Sequence, residues 1–154
     1  MFTGDGSGYF FYPVLHEAGF ASQALAVSRD DGMKLTDLWI SALVRCAPPA
    51  NKPLPEELSA CRPYLQRELA ALGDRVAVVV CLGAIAYGAA AAELGVRPRP
   101  RFGHGVEAPA PGGPVLLCSF HPSQQNTFTG KLTEPMLDAV FHRAAELAGL
   151  RPPS

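Results

Sequence analysis

Charge of one sign is what this sequence most plainly lacks. Its 13 Lys and Arg nearly cancel its 14 Asp and Glu, for a net charge of −1. The surface as a whole is therefore no polycation, and any grip on nucleic acid must come from a local patch. Long apolar runs are missing too. The most apolar stretch, Val76–Leu82, has strand length, far short of the ~20 residues that cross a bilayer. Cysteine is sparse, with four in 154 residues. That argues against a disulfide scaffold and leaves metal binding open. No internal repeat is visible. What is present is a 48% hydrophobic composition, enough for a sizeable core, and fifteen prolines with fifteen glycines, which imply many turns. The expectation is one domain over 1–154, in a monomer working in the cytoplasm without membrane contact.

The chain is organised around Pro114–Gly130, PVLLCSFHPSQQNTFTG. Val115–Cys118 is a continuous apolar run, as in a strand buried on both faces. Pro122 stops it and holds His121 in extended backbone. A histidine thus stands at the carboxyl end of a buried strand, the edge where open α/β sheets bind ligands. Ser123, Gln124, Gln125, Asn126 and Thr127 follow, all neutral and all able to hydrogen-bond. Such a loop suits a partner with donors and acceptors on its edges, such as a base. It also reads as an ordinary polar loop with a proline turn.

Taken in order, the chain opens with three glycines around Asp5, which allow close approach of a ligand. Ser7 is placed to cap a helix over Tyr9–Ala18, with Gly19 as its stop and Pro13 near its first turn. Leu38–Val44 reads as a strand leading to Cys46 and a proline-stiffened loop. Pro55–Glu57 opens a short helical turn, and Pro63 starts a new helix through Leu72. Arg75–Leu82 is a β-branched strand, Gly83 a turn, and Ala84–Leu94 an alanine-rich helix, together one βα unit. Cys81 and Cys118 lie inside strands and read as core thiols. Arg97, Arg99 and Arg101 alternate on an extended loop beside Phe102, where they can grip phosphates or simply face solvent. Residues 106–113 read as a proline–glycine loop. A helix over Glu134–Leu147 closes the pattern, with its apolar positions on one face and Gly149 as its stop. The expected architecture is α/β: a three-layer α/β/α sandwich with a mostly parallel central sheet.

Together, FTGDGSG, VRCAPPANKP with Cys61, VVVCLG, RFGHG and HPSQQNTFTGKLTEPML make the chain resemble the uracil-DNA glycosylase superfamily, in particular its iron–sulfur, type-b members, called family 5. The resemblance runs from Phe2 to about Gly149. It implies an enzyme that flips uracil or another deaminated base out of DNA and hydrolyses its bond to the sugar. His121 then matches a histidine donating to the base carbonyl, and Asn126 a second pocket residue. Asp5 matches an acid that positions water or balances sugar charge. Phe2 matches the aromatic stacked on the base, and Asn51 an amide of the pocket. Ser123, Gln124 and Gln125 match the loop that enters the minor groove. Ala42 stands where related glycosylases carry a base-reading asparagine, which implies a broad base range. Cys46 and Cys61 match two of four ligands to a 4Fe–4S cluster. In the family the other two cysteines, the first strand and the first glycine-rich motif precede Phe2. The expectation is therefore a shortened form of a longer glycosylase, with its first strand missing. Other readings remain: a DNA-binding remnant of weak or no activity, or a small-molecule enzyme using the glycine-rich start as an anion site.

Overall fold

The computed structural model describes residues 6–24, 34–35, 37–40 and 55–150. The sheet has three strands in the order β1-β3-β2: β1 (Val78–Leu82), β2 (Glu107–Pro109) and β3 (Val115–Ser119). β1 and β3 run parallel, with Val78 opposite Val115 and Cys81 opposite Cys118. β2 lies antiparallel on the other side of β3. The helices are α1 (Gly6–Glu17), α2 (Pro55–Leu72), α3 (Ala84–Leu94), α4 (Gln124–Phe128) and α5 (Glu134–Leu147).

Alternation along the strands sorts the core into layers. Cys81, Leu116 and Cys118 face one way, against Tyr87, Ala90 and Ala91 of α3. Leu117, with Val78 and Val80, faces the other way, onto Val140 and Ala144 of α5. α1 packs outside α5, where the Phe11 and Phe141 rings meet edge-on at 5.8 Å. The central strand β3 is thus apolar on both faces. Burying each of its leucines contributes on the order of 1.5–3 kcal/mol. The expected α/β layering is what the chain forms, with a sheet that is parallel in one pairing.

Two helices fall where the sequence placed them, because their ends are written in it. Gly83 (φ +98°) and Gly95 (φ +70°) bound α3. Thr133 caps α5, its Oγ1 accepting from Met136 N–H at 3.3 Å. Other expectations need correction. α1 begins earlier than Tyr9, which leaves Pro13 inside it. β1 begins at Val78, since Gly73–Arg75 form a 3₁₀ turn. α2 is one continuous helix through Pro63; the lost backbone bond does not outweigh the helix formers on either side of it. Leu38–Ile40 join no strand. Asp37 turns the chain (φ +57°), and Trp39, 61% exposed, reaches across to donate to Glu68 at 3.3 Å. The rest of that expected strand, 41–44, lies outside the described residues. Residues 106–113 hold β2 rather than only a loop. Pro109 is tolerated there because β2 is an edge.

Candidate functional site

β3 delivers His121 to the carboxyl edge of the sheet, and both neighbouring segments fasten its last residues. Gly83, just past the end of β1, donates its N–H to Ser119 O at 2.8 Å. A Cβ there would sit 3.4 Å from His121 Cβ, and the backbone φ of +98° already favours glycine. Pro122 is fully buried and roots the following loop, while His121 is exposed.

The polar stretch after it is not a loop but the short helix α4, a correction to the sequence reading. Ser123 is its N-cap, with Oγ accepting from Asn126 N–H at 3.3 Å. Asn126 Nδ2 donates to His121 O at 2.9 Å, closing the segment back on the histidine. Leu132 N–H donates to Asn126 O at 3.0 Å, and Leu132 itself is buried. Thr129 Oγ1 donates to Gln125 O at 2.7 Å. His121, Ser123 and Asn126 are therefore one hydrogen-bonded unit. Gln125 is exposed on it; the side chain of Gln124 lies outside the described residues. On this well-tied turn Phe128 stands 82% exposed.

A second segment approaches the same edge. Arg97, Arg99 and Arg101 are exposed and form no ion pair among the described residues. Their loop is pinned at its base. Tyr87 donates its hydroxyl proton to Pro100 O at 2.7 Å, and burial raises the pKa of that hydroxyl. Just beyond, His104 Nδ1 accepts from Phe120 N–H at 3.1 Å. Lys131 Nζ lies 4.9 Å from the centre of the Phe120 ring. Cations without a carboxylate partner among the described residues thus stand near a neutral, donor-rich turn.

Comparison with known proteins gives the family. Residues 1–145 match the model of the family described as the uracil DNA glycosylase superfamily. The chain belongs to that superfamily. It is 49% identical to the type-5 uracil-DNA glycosylase of Thermus thermophilus over 150 residues, which cover 97% of this chain and 68% of that protein. Identity to the Mycobacterium bovis type-5 enzyme is 45% over 152 residues, 97% of this chain and 57% of the relative. The Pyrobaculum aerophilum type-5 enzyme is 40% identical over 149 residues, 97% of this chain and 64% of that one. The chain thus spans little more than half the length of the mycobacterial relative it matches.

Within this glycosylase-superfamily domain the structure brings together His121, Ser123 and Asn126, and places the arginine loop on a neighbouring strap. Phe2, Asp5, Ala42, Cys46 and Asn51 lie outside the described residues. Cys61 falls in α2. Cys81 of β1 and Cys118 of β3 sit opposite one another, buried between the sheet and α3. Burial pushes their thiols up to about 12 and about 11, so both stay protonated. Among the described residues no three His, Cys, Asp or Glu gather to hold a metal, and no helix is long and apolar enough to cross a membrane. The sequence reading missed His104 and Phe128. RFGHG and the phenylalanine were visible, but a bond across sixteen residues and an exposed aromatic have no local periodicity to announce them.

Proposed function

We propose that this chain is a DNA glycosylase that removes uracil and related deaminated bases by hydrolysing the base–sugar bond, the first step of base excision repair. The observation that carries the reading is the unit at the end of β3, where Asn126 holds the His121 carbonyl and Ser123 caps the turn between them. In the reaction the bond from C1′ to the base nitrogen breaks, and its electron pair leaves with the base. Water adds hydroxide to C1′, and a proton completes the free base. Charge therefore develops twice, negative on the base and positive on the sugar. An imidazole N–H already aimed at the base carbonyl oxygen stabilises the first without reorganising. His121 takes that role, and Asn126 holds its backbone through the bond to the His121 carbonyl.

The remaining roles follow from the resemblance. Asp5 positions water or balances the sugar cation, Phe2 stacks on the flipped base, and Asn51 lines the pocket. Ser123, Gln124 and Gln125 enter the minor groove, and the exposed Phe128 gives that turn an apolar wedge of the kind that separates base steps. Arg97, Arg99 and Arg101 hold phosphates. The enzyme acts as a single-domain monomer on DNA in the cytoplasm, with no membrane partner.

A 4Fe–4S cluster in this reading takes Cys46 and Cys61 as two of its ligands. The described residues do not fit the remaining half of such a site. Cys81 and Cys118 are the only cysteines left in the sequence, and both are interior and protonated. No step of the reaction above needs the cluster.

The test is single-turnover incubation of the chain with a duplex carrying one uracil. Release of free uracil, leaving an abasic site, supports the proposal. Tight duplex binding without release overturns it in favour of a non-catalytic DNA-binding remnant.

A further inference from the structure

The ladder between β2 and β3 does not end where the two backbones part. Val106 O accepts from Cys118 N–H at 2.9 Å, and Gly105 N–H donates to Cys118 O at 2.8 Å. The chain then turns away at 103–105, with Val106 N–H donating back to Gly103 O at 3.2 Å and Gly105 at φ +83°. By alternation, the next N–H on this edge of β3 belongs to Phe120. No strand carbonyl remains to take it. His104 takes it instead, with Nδ1 at 3.1 Å. The imidazole stands in for the missing carbonyl and lengthens the ladder by one step. Its ring also lies against Phe120, centroids 5.0 Å apart. On the opposite edge, Gly83 N–H holds Ser119 O. The residues leading into His121 are thus clamped from both sides, once by backbone and once by a side chain.

We propose that His104 is a positioning residue for His121, acting through the Phe120 amide, and that it works only with Nδ1 unprotonated. A protonated Nδ1 would turn a donor toward a donor and open the clamp. The inference rests on the glycosylase reading and adds to it a role for His104 that needs no contact with base or phosphate. Positioning of this kind changes turnover more than binding, since a shift of about 1 Å in a reacting group costs on the order of 10²-fold in rate.

Two variants separate the acceptor from the ring. His104→Phe keeps an aromatic against Phe120 and removes the acceptor. His104→Asn restores an acceptor oxygen close to the Nδ1 position. On uracil duplex, His104→Phe is expected to lower the single-turnover rate by roughly 10- to 10²-fold at an unchanged DNA dissociation constant, and His104→Asn to recover most of the loss. Wild-type turnover by His104→Phe overturns the proposal. So does an equal loss in both variants, which would assign the effect to ring packing. A long-range ¹⁵N–¹H spectrum of the wild-type chain reads the same bond without substrate or variant. It is expected to show His104 as the Nε2–H tautomer, with a slowly exchanging Phe120 amide. A proton on Nδ1 or a fast Phe120 amide overturns the proposal even in a chain that excises nothing. Absence of excision with the expected tautomer and amide overturns the glycosylase reading and the catalytic half of this one, leaving only the clamp.

Discussion

Two segments meet at the carboxyl edge of the sheet, and they are built on opposite principles. The turn from His121 to Gly130 holds no Asp, Glu, Lys or Arg and is tied to itself by cap, side-chain and backbone bonds. The loop from Arg97 to Arg101 is cationic and exposed, and is pinned chiefly at Pro100. The difference teaches where each kind of work is done. Stabilising a charge that develops on one atom demands a donor fixed to a fraction of an ångström. Holding a phosphate chain demands charge and tolerates slack. One segment supplies geometry and the other supplies field.

Breaking the first segment should cost the most. His121→Ala is expected to slow single-turnover excision by on the order of 10²–10³-fold, the usual loss for one donor to a developing anion, and Asn126→Ala by on the order of 10²-fold through misplacement of that donor, each with little change in DNA affinity. Wild-type rates from both would remove the pocket from this edge. Breaking the second should touch affinity and its salt dependence. If the three arginines meet three phosphates, replacing all with alanine should flatten the slope of log affinity against log salt by about 3, at roughly 0.9 per contact. An unchanged slope in a filter-binding or anisotropy titration would show that the loop's charge does no such work.

Smaller effects sharpen the contrast. Ser123→Ala removes the cap of α4 and should cost about 1 kcal/mol, read as a lowered midpoint in denaturant titration. Because the same turn carries His121, excision should fall with it, whereas no arginine variant should move the midpoint comparably. The smallest effect belongs to the buried thiols. Their pKa values lie above the ordinary 9.0, at about 12 for Cys81 and about 11 for Cys118, chiefly through burial. The unfolded chain therefore loses these protons first as pH rises. The stability they contribute is whole below pH 9 and fades as pH climbs toward 11 and 12. A Cys81→Ala, Cys118→Ala chain should show a shallower alkaline fall in thermal midpoint than the parent, and equal slopes would contradict this.

The sequence made the frame readable where punctuation is local. Gly83, Gly95, Thr133 and Gly149 mark helix ends through their own backbone angles or caps, so α3 and α5 could be bounded residue by residue. The apolar run at Val115–Cys118 likewise announced a strand buried on both faces. What stayed hidden depends on distant partners. β2 is three residues between prolines and glycines, and exists only because β3 offers it a ladder. α4 has no apolar periodicity and is fixed by its cap and by the carbonyl of His121. Pro63 looked like a boundary but sits within a continuous exposed helix. At the site, His121 and Asn126 were legible from motif chemistry, while His104 matters through a bond that no spacing rule encodes.

The packing of α1 on α5 has a consequence for how the chain acquires its structure in time. Phe11 and Phe141 are neighbours in space and nearly the whole chain apart in sequence. By contrast, β2 and β3 adjoin across a short turn, and α3 leads directly out of β1. Closing a long loop carries a larger entropy cost than closing a short one and tends to come late. On a ribosome, α1 is the first of these elements to emerge and α5 the last. The apolar side of the first helix is therefore not fully covered until the last has left the exit tunnel. Pulse-labelled hydrogen exchange during refolding should accordingly protect the amides of β3 before those of α1, and the reverse order would disprove it.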